Sequence, residues 1–311
     1  MRIARRNVVL AGALVTLTGL LVFGGREAAP TRAITRLFPT LTTASAARLE
    51  LAADGRSVRV ERVNGEWVLP DLFGYPAEPL LVARVIERLG SLTSLDLLTE
   101  DPKRHAEYGL DEGAAQRFTV FDVSDGVLAD LLVARAPTGA AYVRLRGQDA
   151  VFGAGALPTT SSDLQAWRLG SPLITVDATL ATRIELAPAD AGAGWPSVTV
   201  VRDPDRYDRW FDGEGSEVPR ERVERLLNEL VKLYPLAILA AGPAPEHGLD
   251  PAALTVRVVG AKGEVALARI GAAQGGRDAN VAAQGALGPW VVQVRGTAVE
   301  RLRAVARALT P

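Results

Sequence analysis

The sequence predicts an α+β fold: an N-terminal transmembrane helix, then two repeated modules, each a mainly antiparallel sheet packed with one main helix. Three observations predict it. Landmark residues recur in the same order at a nearly constant offset. Short apolar runs of period two are separated by turn-forming residues. One amphipathic helix falls in each copy.

Four landmarks carry the repeat. Arg48-Leu49-Glu50-Leu51 returns as Arg183-Ile184-Glu185-Leu186, 135 residues on. Trp67 and Trp210, each closing a short hairpin, lie 143 residues apart, and Pro79 and Pro219, each opening a helix, lie 140 apart. Tyr108-Gly109-Leu110-Asp111 returns as His247-Gly248-Leu249-Asp250, 139 residues on. Loops of unequal length explain the drift. The chain is therefore divided into a signal anchor over 1–25, a linker over 26–46, one module over 47–177 and a second over 178–311.

The anchor is read from Arg2, Arg5 and Arg6 followed by an uncharged, largely apolar run, Val8 to Gly25. A basic cap before an apolar stretch marks a signal sequence or signal anchor, and the run lies near the short end of the roughly 17–25 residues that span a bilayer. Arg26 and Glu27 interrupt any small-x-small cleavage site after Phe23, which favours an uncleaved anchor. Arg2, Arg5 and Arg6 favour an N-terminus inside; Arg26, Arg32 and Arg36 on the other flank weaken that bias. The expectation is a single-pass bacterial inner-membrane protein whose bulk lies on the periplasmic side. The linker holds Pro30 and Pro39 and a partly ordered Leu37-Phe38-Pro39 element.

Within the first copy, Val58, Val60 and Val63 approximate the period of two of a half-buried strand. Asn64-Gly65 then supplies the two positive φ angles of a type I′ hairpin turn before Trp67 to Leu69. The second copy places Asp203-Pro204-Asp205-Arg206 there, suited to a type I turn. Val82, Val85, Ile86, Leu89 and Leu92 share one helical face, as do Val223, Leu226, Leu227, Leu230 and Val231. Pro79 and Pro219 fit the first helical turn, where no N–H donor is needed. Strands are expected over Phe118–Val123, Val127–Ala134 and Tyr142–Arg146, with counterparts Leu254–Val259, Glu264–Ile270 and Trp290–Val294. Leu157 to Ser171 reads as a loop and short helix between the copies.

Composition narrows the function classes. With 35 basic and 36 acidic residues the net charge is -1, unlike the basic footprint of a nucleic-acid binder, so no nucleic-acid partner is expected. The chain has no cysteine, which excludes disulfides, thiolate nucleophiles, cysteine zinc sites and a lipidated cysteine. At 48% hydrophobic and 23% charged residues, a folded protein is expected.

Leu37-Phe38-Pro39, the Arg-Leu-Glu-Leu strand, the hairpin closed by Trp67 and Tyr108-Gly109-Leu110-Asp111 together resemble the domain-of-unknown-function 4340 family, over roughly residues 37 to 311. One departure is visible: the family places a proline soon after Gly-Leu-Asp, and the second copy has Pro251 where the first has Glu112-Gly113. The resemblance implies an extracytoplasmic, membrane-anchored protein, often linked with ABC-type transport systems resembling those of gliding motility. It carries over no catalytic residue.

The residues themselves offer little chemistry. His105 and His247 stand at different distances from their Gly-Leu motifs and lack convergent partners, so both read as surface or loop residues. Asp203, Asp205, Asp208, Asp212, Glu214 and Glu217 cluster, but their spacing does not fit a calcium loop and three arginines compete for them, so a solvated turn is expected. Gly271, Gly275 and Gly276 lack the Lys-Ser/Thr ending of a phosphate loop and read as a connection between strands. Trp67, Trp210 and Trp290 could stack on sugar, but the matched positions of the first two favour packing. No catalytic, cofactor-binding or metal-ligating residue is expected. The first functional expectation is a non-catalytic, membrane-anchored scaffold or accessory subunit of an envelope transport or assembly complex. It would contact the membrane through residues 8–25 and protein partners in an envelope or ABC-type complex. The alternative is an extracytoplasmic glycan- or small-ligand-binding protein with a cleft between the copies. A hydrolase using paired carboxylates stands third.

Overall fold

The structure is a computed structural model that describes residues 34–310, apart from 95, 156, 158–159, 191–193, 273–280 and 286–287. The expected anchor over residues 8–25 lies outside the described residues. Among these, no helix is long and apolar enough to cross a membrane.

Two nine-stranded antiparallel sheets account for most of the chain. The first is built from β1 (Arg48–Ala53), β2 (Arg56–Val63), β3 (Glu66–Leu69), β4 (Tyr75–Pro76), β5 (Asp96–Thr99), β6 (Gln116–Phe121), β7 (Val127–Arg135), β8 (Ala141–Leu145) and β9 (Val151–Ala154). Helix α1 (Pro79–Gly90) stands between β4 and β5. The spatial order is β4-β3-β2-β1-β6-β7-β8-β9-β5. Because β4 and β5 are opposite edges, α1 must cross the whole sheet, and this lays its apolar stripe on one face. Val82, Val85, Ile86 and Leu89 are buried there, as their spacing predicts.

The second sheet contains β10 (Ala181–Pro188), β11 (Val198–Arg202), β12 (Trp210–Asp212), β13 (Glu217–Val218), β14 (Ala237–Ala240), β15 (Leu254–Gly260), β16 (Gly263–Ile270), β17 (Val281–Gln284) and β18 (Val291–Val294). Its order is β13-β12-β11-β10-β15-β16-β17-β18-β14, the order of the first sheet with nine added to each label. Helix α2 (Arg220–Leu230) again connects the two edges and buries Val223, Leu226, Leu227 and Leu230. A third helix, α3 (Gly296–Arg307), follows β18 and buries Ala298, Val299, Leu302 and Ala306. The sequence reading contains no such helix.

Several expected boundaries move, each for a local reason. The strand expected over Phe118–Val123 ends at Phe121, because Asp122 turns the chain by accepting from the Ser124 and Gly126 N–H groups. Trp290–Val294 is not the counterpart of Tyr142–Arg146: Val291–Val294 takes the place of β9, and Val281–Gln284, which no strand signal marks, takes the place of β8. Val231 caps α2 and lies outside it, and Leu92 is buried just beyond α1. The expected linker is folded at its C-terminal end. The Leu37 N–H donates to the Leu92 carbonyl at 2.9 Å, and Phe38 and Leu41 are buried. Ahead of the second sheet, the Leu173 N–H donates to the Leu233 carbonyl at 2.6 Å, with Leu173 and Ile174 buried.

The two prolines at the helix starts differ by one position, with a consequence for the sheet edge. Pro79 is the first helical residue, so the preceding Glu78 keeps its N–H and donates to the Trp167 carbonyl at 2.8 Å, while the Leu169 N–H donates to Pro76. The segment between the sheets thereby straps the β4 edge. Pro219 instead occupies the cap position of α2 and has no N–H to offer. A proline is itself a protection for an edge strand, and no backbone strap lies on β13 among the described residues.

Candidate functional site

The motifs that recur in the chain prove to be structural joints. At the Asn64-Gly65 turn φ is +52° and +90°, both in the left-handed region that a type I′ turn requires. The strands it joins place Arg62 opposite Trp67. The Arg62 guanidinium lies 4.6 Å from the Trp67 ring centroid and donates to the Thr43 carbonyl at 2.8 Å. In the second sheet Arg202 stands opposite Trp210, also 4.6 Å from the ring centroid, and donates to the Ala178 and Thr179 carbonyls at 2.8 Å. Each arginine thus clamps the entry to the central strand while covering a ring. Trp67 and Trp210 are only 7% and 2% exposed, so neither presents a face to a ligand. Trp290 lies at the joint between the sheets: its Nε1 donates to the Phe73 carbonyl at 2.9 Å, and its ring meets Tyr75 edge-on at 5.1 Å. Burial raises the Tyr75 pKa, opposed by the positive charge of Arg168.

The Gly-Leu-Asp elements are corners. Gly109 and Gly248 end 3₁₀ turns at φ of +66° and +61°, a conformation that costs any other L residue, and the following Leu110 and Leu249 are fully buried plugs. In the first corner Arg144, itself buried, donates to the Leu110 carbonyl at 3.1 Å. The Asp250–Pro251 bond is cis.

The histidines are not brought together. His105 is 8% exposed, with Nε2 2.9 Å from the Asp149 carbonyl, so it ties the first corner to the β8–β9 turn. It sits buried in the 3₁₀ turn Pro102–Tyr108, not at the surface or in an open loop. His247 accepts the Ala244 N–H at Nδ1 within its own turn. The acidic cluster disperses as well: Asp203 accepts from the Asp205 and Arg206 N–H groups, Asp212 caps the β12–β13 turn, and Glu217 pairs with Arg209 at 2.9 Å. Among the described residues no group of three or more His, Asp or Glu could hold a metal ion. Gly271 follows β16, while Gly275 and Gly276 lie outside the described residues.

Each sheet also carries ion pairs: Arg117 with Asp130 across β6 and β7 and Arg59 with Asp71 in the first, Arg257 with Glu264 across β15 and β16 and Arg183 with Glu185 along β10 in the second. One end of the first sheet holds a cleft of about 520 Å³. Its walls come from the β1–β2 turn, the Gly109 corner, the β7–β8 turn and the segment leading to the second sheet. Sequence reasoning did not find it, because its lining is mostly glycine and alanine, which carry no chemical signal.

The sequence profile of the domain-of-unknown-function 4340 family matches residues 67–252, more than half of the chain. The chain belongs to this family. No curated protein matches it significantly. The match to the 4340 family holds both covered tryptophans and both Gly-Leu-Asp corners.

Proposed function

We propose that this protein is a non-catalytic, membrane-anchored scaffold or accessory subunit of an envelope transport or assembly complex, with two copies of one sheet-and-helix unit held outside the cytoplasm. The copies correspond to residues 47–177 and 178–311. The shared strand order of the two sheets supports the duplication, and the paired clamps Arg62–Trp67 and Arg202–Trp210 give it a residue-level basis. The anchor rests on Arg2, Arg5 and Arg6 ahead of the apolar run to Gly25.

One observation carries the non-catalytic part. The side chains that stood out as candidates for chemistry are occupied in holding the fold: His105 and His247 bond backbone groups, and Trp67 and Trp210 lie beneath arginines. Catalytic groups, by contrast, converge on a shared open site. The test is affinity capture of the full chain from gently solubilised membranes after crosslinking in intact cells. Recovery of membrane-complex subunits in stoichiometric amount is expected. Recovery of the chain alone, with and without crosslinker, would reject the scaffold reading.

A further inference from the structure

We propose that the 520 Å³ cleft at the end of the first sheet binds a small zwitterion with an apolar body, a free amino acid or a dipeptide. Its volume lies in the range of small-molecule sites, roughly 300–1,000 Å³. The floor is apolar and small, formed by Ala53, Gly109, Ala114, Val133, Ala134 and Ala141. A Cβ placed on Gly109 would touch the Ala134 Cβ at 3.4 Å, so the floor is already closed beneath the cleft. One wall is fixed by a reciprocal pair: Gln116 Nε2 donates to the Thr160 carbonyl at 3.2 Å, and the Thr160 hydroxyl donates to Gln116 Oε1 at 3.1 Å.

Two opposite charges line this cleft, Asp54 and Arg135. Both are exposed, and neither side chain has an ion-pair or hydrogen-bond partner among the described residues. They do not meet each other. Asp54 follows β1 and Arg135 ends β7, with β6 between them, so their backbones are two strand spacings apart, roughly 10 Å. The Asp54 carboxylate and the Arg135 guanidinium thus line one cleft without pairing to each other, which leaves each to take the opposite charge of a bound zwitterion. Arginine is the side chain best matched to a carboxylate, through two parallel N–H donors. The aspartate is placed to take an ammonium group, while the alanine floor receives an apolar side chain.

The test is calorimetric titration of the full chain with alanyl-alanine and leucine, beside propionate and propylamine, which carry one charge each. The expected result is binding of at least one zwitterion near or below about 1 mM, weakened at least tenfold by Arg135→Ala and by Asp54→Ala. Ala114→Leu, an exposed position that places bulk in the cleft, should abolish it. No heat with either zwitterion would overturn the proposal, as would binding unchanged in both charge variants. Propionate binding as tightly as the zwitterions would overturn the role of Asp54.

Discussion

Truncating Arg62 removes a cation from the Trp67 face and a donor from the Thr43 carbonyl at once. Arg62→Ala should destabilise the protein by about 1–2 kcal/mol, the sum of a partly desolvated cation–π contact and a charge-assisted hydrogen bond. Arg202→Ala should cost a similar amount, since its partners are equivalent. The two sites share no partner, so the double variant should show the sum within about 0.5 kcal/mol in urea denaturation. A second residue-scale prediction concerns acid. Glu229 is nearly buried between α2 and α3, with Lys232 at 2.7 Å and Arg301 at 3.4 Å. The hydrogen bond from Lys232 lowers its pKa below the ordinary 4.5, against burial, which raises it. A depressed folded pKa means the stabilisation is present above the unfolded value and is lost as pH falls through the folded one. Glu229→Gln should therefore destabilise at neutral pH, with the deficit shrinking in acid as pH falls below 4.5 and through the lowered folded pKa. An equal deficit at neutral pH and in acid would contradict the ion-pair account.

Legibility at the level of elements depended on what each residue had to do. Asn64-Gly65 was readable because few other pairs tolerate two positive φ angles. The stripes of α1 and α2 were readable because each helix crosses a sheet and must bury a full apolar face. Helix α3 escaped although Ala298, Val299, Leu302 and Ala306 have helical spacing, because a reading built on repetition predicts nothing where the first copy has no counterpart. The segment between the sheets also packs against the core, through Leu157 and Leu164. Strand β17 escaped because Val281-Ala282-Ala283-Gln284 shows no alternation. The cleft was illegible for a different reason: only the fold brings Asp54 and Arg135 to one opening. An element-scale prediction follows from helix burial. Val85→Ala and Leu226→Ala remove equivalent fully buried side chains from α1 and α2, and the leucine truncation should cost about 2–5 kcal/mol. Thermal denaturation of both variants checks this, and a loss below 1 kcal/mol at Leu226 would mean that α2 does not seal its sheet as described.

At the scale of the whole molecule, the two sheets are joined through Trp290, Phe73 and Tyr75, with Arg168 reaching the Leu236 carbonyl at 3.4 Å. Trp290→Ala removes a hydrogen bond and an aromatic edge contact, about 1–3 kcal/mol together, without touching either sheet's own ladder. The expected outcome is faster limited proteolysis between the sheets while each sheet's amide protection persists. Loss of protection throughout both sheets would show that the joint belongs to one indivisible core. The wider account places this paired body beyond the lipid, and the cysteine-free sequence makes that placement directly measurable. Ser57→Cys, at an exposed position in β2, creates a single thiol in the chain. A membrane-impermeant maleimide added to intact spheroplasts should label that thiol fully before lysis. Labelling only after the membrane is broken would put the body in the cytoplasm and contradict the account.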